Sequence, residues 1–322
     1  GVSVLTGDDP DKIAALDIWD EAVWRACNPA LGRNLSLRKF RAEARTARQS
    51  EAAERLFRWL RLNQWISTKT VGWVPLTIYD KTQWNRPEWA GLNVIERRSA
   101  AREYLRGKKC YGGLDLSKST DLTAFVLIFP PQPGLETWVA LFWAWVPLDD
   151  LAAREKRDGV PYGDWIRAGF IQGCPGDIID YDAVEQTIWQ AAADFDLVTL
   201  GLDAAMSWTL SQRLMQGTED HDGLEIIEIP QTMMGMSPAV KQLEVLLRKH
   251  EMLHEHNTAA RWNFGNVRCA TDGNENLKPM KNRSVGRIDM TVAWIISMAT
   301  AMAKGVEKPD LASAMERPGF TL

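Results

Sequence analysis

Between Cys110 and Pro147 the chain carries three short runs dense in β-branched and aromatic residues, CYGGLDLS, TAFVLIFP and TWVALFWAWVP, the last two parted by the turn PPQPG. Runs of this length and composition, bounded by turn residues, read as strands. Three in close succession fold as an antiparallel meander, because parallel neighbours need a crossover of about a dozen residues or more. The next segment supplies such a crossover. VEQTIWQAAADF has the pattern of a helix, with Asp182 as its expected cap, and LVTLGLDAA reads as the strand it delivers. LEIIEIP is a further strand. SPAVKQLEVLLRK is a helix with Ser237 expected at the cap and Pro238 in the first turn, and a last helix spans about 288–303. The fold class is therefore α/β, with a mixed sheet: an antiparallel meander extended by a parallel strand.

The texture before Lys109 is different. LSLRKFRAEARTARQSEAAERLFRWLRLNQW is helical and rich in arginine, with Leu37, Phe40, Ala44 and Ala47 on one stripe and Leu56, Trp59, Leu60 and Trp65 continuing the apolar theme. Ser36 is its expected N-cap. The change divides the chain into a mainly helical segment, residues 1–105, and an α/β domain, residues 106–322. The arginines read first as the solvated side of packed helices, and second as a basic face toward nucleic acid or a partner domain.

The formal net charge of −4 over 322 residues argues against a general DNA coat protein, so any contact with nucleic acid needs a local basic patch. Cys27, Cys110, Cys174 and Cys269 stand far apart, without C-x-x-C spacing, and read as free thiols. The longest apolar run, Met290 to Ala303, is too short to span a bilayer, and no membrane partner is expected. Residue 1 is Gly and the opening stretch reads as interior sequence, so a piece of a longer chain is expected.

Asp115 ends the first strand, Asp203 ends the strand after the crossover, and Asp289 opens the last helix. Each alone reads as a turn or cap residue. If the first strand and the strand after the crossover are neighbours, Asp115 and Asp203 emerge at the same edge of the sheet, at the carboxyl ends of strands, where open α/β sheets place their chemistry. Two carboxylates about 4 Å apart repel by roughly 4 kcal/mol at a protein surface, so such a group needs a raised pKa or a hard cation. Oxygen ligands without His or thiolate favour Mg²⁺ or Mn²⁺ over Zn²⁺. Two such ions suit an in-line displacement at phosphorus, with the aspartates as ligands rather than bases.

The residues also resemble the C-terminal nuclease of the large terminase subunit of tailed phages and prophages, an RNase H-like fold, together with the segment that links it to an ATPase. The similar stretches follow one another in order: NPALG, RLNQW with Trp73, GLDLSKSTDLTA, RDGVPYGDWIRAGF, PGDIIDYD, MSPAVKQLE, HEHNTAARW and LKPMKNRSVGRID. The resemblance implies a metal-dependent endonuclease that cuts concatemeric double-stranded DNA during genome packaging in the host cytoplasm. It implies Asp115, Asp203 and Asp289 as metal ligands holding two ions, Mg²⁺ or Mn²⁺. Asp121 is implied as a further ligand or outer contact, although as a residue it reads equally as a turn before the next strand. Met290 departs from the glycine usual in the family at that position. A small terminase subunit and a portal are implied as partners.

Lys278, Lys281, Arg283 and Arg287 lie just before Asp289 and form an expected phosphate-holding segment. Two other readings are weaker. His250, Glu251 and His254 fit the H-E-x-x-H zinc-peptidase pattern, but the pattern begins where helical periodicity is lost. Gly107-Lys108-Lys109 lacks the remainder of a phosphate-binding loop, so any ATPase is expected before residue 1. The alternatives for the whole are a non-catalytic DNA-binding or assembly module, and another RNase H-fold nuclease such as a resolvase or transposase.

Overall fold

The computed structural model describes residues 17–48, 51–62, 71–117, 122–272, 274–281, 284 and 286–306. The chain divides into two compact units, Gly1–Thr70 and Val71–Leu322. In the first, α1 (Glu21–Cys27), α2 (Leu37–Ala47) and α3 (Glu51–Leu62) pack through their apolar faces. Ser36 caps α2 as expected, its side chain accepting from the Lys39 amide. Phe40, Ala44 and Ala47 are buried, with Phe40 against Trp24 and Phe57. Leu60 is exposed, contrary to its expected place on the apolar theme. Trp65 and the side chains of Leu56 and Trp59 lie outside the described residues.

The second unit opens with β1 (Val71–Gly72), α4 (Leu76–Lys81) and α5 (Val94–Tyr104), then β2 (Lys109–Asp115), β3 (Thr123–Phe129) and β4 (Trp138–Pro147). The insertion α6 (Leu151–Asp158) and α7 (Tyr162–Arg167) leads to β5 (Gln172–Cys174), α8 (Tyr181–Asp194), β6 (Asp196–Leu202), α9 (Ala204–Gln216) and β7 (Ile226–Glu228). There follow α10 (Met233–Arg248), β8 (Met252–His254), α11 (Thr258–Asn266), β9 (Arg268–Thr271), β10 (Leu277–Pro279) and α12 (Asp289–Ala303). The division at 70/71 lies earlier than the boundary expected at 105/106. The physical reason is burial: Trp73, Tyr79, Trp84, Trp89 and Leu105 are core residues of the second unit.

The main sheet runs β5-β4-β3-β2-β6-β7, with β8 also on β4. β2, β3 and β4 form the expected antiparallel meander, and β6 joins β2 in parallel, with β7 parallel beyond it. Alternate residues of β3 and β4 enter opposite cores. Val126, Ile128 and Phe142 face α10, α11 and α12, whereas Phe125, Leu127 and Leu141 face α5, α8 and α9. Both faces are covered, which is why these strands read as unbroken apolar runs instead of alternating ones. β1, β9 and β10 make a separate small antiparallel sheet.

Two caps differ from expectation. Asp180 caps α8, its side chain accepting from the Asp182 amide, while Asp182 pairs with Arg213 at 2.7 Å. α10 starts at Met233 with Thr232 as cap, so Pro238 lies inside it; the Ser237 hydroxyl instead accepts from the Leu277 amide at 3.0 Å. The H-E-x-x-H pattern is divided between a turn and a strand: His250 has φ 58° and His254 ends β8. His254 is buried with both ring nitrogens against backbone carbonyls, of Tyr79 at 2.9 Å and Glu255 at 3.0 Å. The two histidines are not on one helix, as a zinc peptidase requires.

Candidate metal centre

Two glycines bring the last helix onto the sheet. Gly113 in β2 is paired in register with Gly201 in β6. A Cβ on Gly113 would stand 2.2 Å from the Ala293 carbonyl oxygen and 2.3 Å from the Ser297 amide, and one on Gly201 would stand 1.9 Å from Thr300 Oγ1. The backbone of α12 therefore rests directly on the strands, which aims its first residue, Asp289, at the carboxyl end of β2. The turn after Asp115 is fixed by two bonds: the Ser117 amide donates to Thr123 Oγ1 at 3.1 Å, and Tyr181 Oη donates to the Ser117 carbonyl at 2.9 Å.

Asp115 and Asp289 are both buried, at 3% and 1% exposure. Lys281 Nζ lies between them, 2.9 Å from Asp115 Oδ2 and 2.8 Å from Asp289 Oδ1. The second contact is an ion pair outside good hydrogen-bond alignment, and Asp289 Oδ2 has no hydrogen-bond partner among the described residues. Gln231, just ahead of α10, reaches Asp115 Oδ1 at 3.5 Å. Burial raises the Asp115 carboxyl to about 6; Lys281 offsets part of this and the Asp289 charge adds to it. Partial burial alone would lower the Lys281 ammonium, but the two carboxylates outweigh it and hold its pKa above the ordinary lysine value.

Asp203 follows Leu202, the parallel partner of Leu114, so it is the next residue beside Asp115 in the register. It is half-buried. Among the described residues no three His, Cys, Asp or Glu side chains form a ready ligand group. The centre as it stands is two carboxylates bridged by an ammonium, with a third carboxylate on the adjoining strand. Asp121 and Arg283 lie outside the described residues. Lys278 donates to the Gln231 carbonyl, and Arg287 Nε faces Asp158 Oδ2 at 3.6 Å. Burial lowers the Arg287 pKa, and the Asp289 charge opposes that effect.

The donor chemistry fits a hard divalent cation. The cluster is all oxygen, one buried carboxylate oxygen is unpartnered, and Mg²⁺ commonly uses only one or two protein carboxylates while keeping waters and substrate phosphates. Gln231 and the bridging position of Lys281 escaped sequence reasoning. Gln231 is some 116 positions from Asp115, and only the docking of α10 brings it there.

The family described as terminase large subunit, endonuclease domain, matches residues 10–305. The large terminase subunit of Enterobacteria phage HK97 is 31% identical over 298 residues, covering 91% of this chain and 53% of that protein. Protein YmfN of Escherichia coli K12 is 24% identical over 306 residues, covering 92% and 63%. The crystal structure of the HK97 large terminase superposes with a TM-score of 0.65 at 29% identity, covering 88% of this chain and 55% of that one. The chain thus spans between half and two thirds of the relatives it matches. Its mixed α/β sheet flanked by helices is RNase H-like, and the chain belongs to the terminase large subunit endonuclease-domain family.

Proposed function

We propose that the Val71–Leu322 unit is a divalent-metal-dependent endonuclease that hydrolyses phosphodiester bonds of double-stranded DNA, and that it does so on concatemeric phage DNA during genome packaging. The observation that carries this reading is the meeting of two buried carboxylates, Asp115 and Asp289, with a carboxylate oxygen left unpartnered. Asp115 and Asp289, with Asp203 beside them, would hold Mg²⁺ or Mn²⁺, two ions being the expected number; Asp121 is a provisional further ligand. Bound there, the ions supply Lewis-acid stabilisation of the attacking and leaving oxygens of an in-line displacement.

The chain's own residues do the rest. The glycine-paved contact of α12 with β2 holds Asp289 in fixed relation to Asp115. Lys281 offsets one of the two negative charges of the pair, and we assign Lys278, Arg283 and Arg287 to the DNA backbone, with Lys281 joining them once a cation takes its place between the carboxylates. Charge and hydrogen-bond donors of this kind can hold phosphates without reading base identity. The helical residues before the nuclease would connect it to the remainder of a longer packaging protein, which acts in the host cytoplasm with a small terminase subunit and a portal. No helix among the described residues is long and apolar enough to cross a membrane.

The test is nicking of supercoiled plasmid across a Mn²⁺ titration. Wild type should nick in proportion to metal, and Asp115→Ala and Asp203→Ala should lose nicking while melting as folded proteins. Undiminished cleavage by either variant would sink the assignment. A non-catalytic DNA-binding module is the reading favoured by Lys281, whose ammonium already stands between the two carboxylates and offsets one of their charges. DNA binding without nicking at any Mn²⁺ concentration would identify it.

A further inference from the structure

The first helix of the α6–α7 insertion ends beside the metal centre on one buried carboxylate. Asp158, the last residue of α6, has a side chain only 8% exposed, and it gathers three groups. Arg157 forks onto both its oxygens at 2.8 and 2.7 Å, Tyr162 Oη donates to Oδ2 at 2.9 Å, and Arg287 Nε faces the same Oδ2 at 3.6 Å. Gly159 follows with φ 68°, which lets the chain reverse at once and bring Tyr162 back over Asp158.

Arg287 is held from its main chain as well. Its carbonyl accepts from Asn266 Nδ2 at 3.1 Å. A Cβ on the preceding Gly286 would stand 2.7 Å from Asn266 Nδ2 and 3.0 Å from Trp262 Cζ2, so this turn is seated on the Trp262 ring. Trp262 in turn packs on Trp165 at 5.6 Å and Tyr162 at 6.3 Å between ring centroids. Both the insertion and α11 thus converge on one arginine, two residues before Asp289.

We propose that Asp158, assisted by Tyr162, is a positioning residue that orients the Arg287 guanidinium toward a DNA phosphate at the Asp115–Asp289 centre; this rests on the nuclease reading above. The 3.6 Å contact is an ion pair, so Asp158 holds the position of the planar guanidinium fork by charge while Asn266 and Trp262 fix the Arg287 main chain. Phosphate is the anion that such a fork matches.

The sign of one substitution separates positioning from simple charge. Asp158→Asn removes a negative charge from a surface that would face DNA, and charge alone predicts tighter binding. Positioning predicts weaker binding, by about tenfold, the order carried by one charge-assisted hydrogen bond. The measurement is fluorescence anisotropy of a labelled duplex with the full chain across a salt series, paired with Mn²⁺-dependent cleavage. Arg287→Gln should weaken binding similarly and flatten the log–log salt slope by about 0.9. Asp158→Asn added to Arg287→Gln should weaken it no further. Tyr162→Phe, which deletes one hydroxyl, should weaken binding by about twofold and serves if Asp158→Asn does not fold. The proposal is overturned if Asp158→Asn binds as tightly as wild type or more so, if its effect persists at full size without Arg287, or if, with Asp158→Asn unfolded, Tyr162→Phe binds like wild type. A wild type that binds DNA through Arg287 but never cuts would overturn the nuclease reading and leave the positioning intact.

Discussion

The contact between β2 and α12 makes a quantitative prediction for Gly113→Ala. The new Cβ would stand 2.2 Å from the Ala293 carbonyl oxygen, and both close neighbours are helix backbone, which cannot rotate away. Bringing that contact even to 3.0 Å requires α12 to withdraw by about 0.8 Å. A gap of this size forfeits about a quarter to a half of the dispersion energy of facing atoms, along a helix whose Ala293, Ile296 and Ser297 are fully buried. Set against about 0.4–1 kcal/mol gained from a stiffer unfolded chain, the net cost is about 3 kcal/mol. In a domain of this size that lowers the melting temperature by about 6–12 °C. Gly112→Ala is the internal control: its Cβ would meet Leu200 Cδ1 at 2.7 Å, the free end of a side chain that can turn aside. Calorimetry of the three proteins, with a Mn²⁺ titration of each, reads both consequences, because a displaced α12 carries Asp289 away from Asp115. If Gly113→Ala melted within a degree or so of wild type, or if Gly112→Ala cost as much, the account of the helix resting on the glycines would be wrong.

Lys281→Ala leaves two buried carboxylates facing one another, so in chelator it should melt below wild type near pH 7, and Mn²⁺ should restore most of the difference; a loss that metal does not repair would argue against a shared cation position. Arg98 pairs with fully buried Glu255 at 3.0 Å, while Arg102 stands 3.7 Å from the same carboxylate and the Phe142 amide donates to it at 2.7 Å; Arg98→Met should therefore cost about 1.5–3 kcal/mol by urea unfolding, the scale of one hydrogen bond to a charged group, and a cost under about 1 kcal/mol would refute this. Burial lowers the pKa of His254 and His256, so below about pH 6.5 the unfolded chain binds more protons than the folded one, and the urea midpoint should fall as pH drops from about 7 to about 5.5. Asp115, raised to about 6, acts in the opposite sense over that window, so the comparison belongs in Asp115→Asn; a midpoint that rose on acidification there would contradict the assignment.

The meander, the crossover and the parallel strand were legible because each is a local pattern: apolar runs of strand length, a turn rich in proline, a helical period. Asp115 and Asp289 were legible for the same reason, since each sits at the end of such an element. Asp203 was legible in place, as the residue beside Asp115 by register. Lys281 was expected on the DNA backbone, and the structure puts its ammonium between two carboxylates. Sequence could not show that, because the loop carrying it is placed by β9 and β10, strands of four and three residues with no periodic signal. A proline usually marks a first turn, which places the start of α10 too late: Pro238 lies five residues inside a helix whose cap, Thr232, precedes a methionine-rich stretch. The boundary between units was misplaced because tryptophans in a helical segment say that something is buried but not against what.

The small sheet also defines a path for force. Val71 and Gly72, the first residues of the second unit, pair with Cys269 and Arg268, and β9 pairs onward with β10, which ends two residues before Lys281. A pull on the chain at residue 70 must either unzip the short β1–β9 ladder or drag β9 and β10 with it. In the second case the load is carried to the segment that bears Lys281, whose ammonium stands between Asp115 and Asp289.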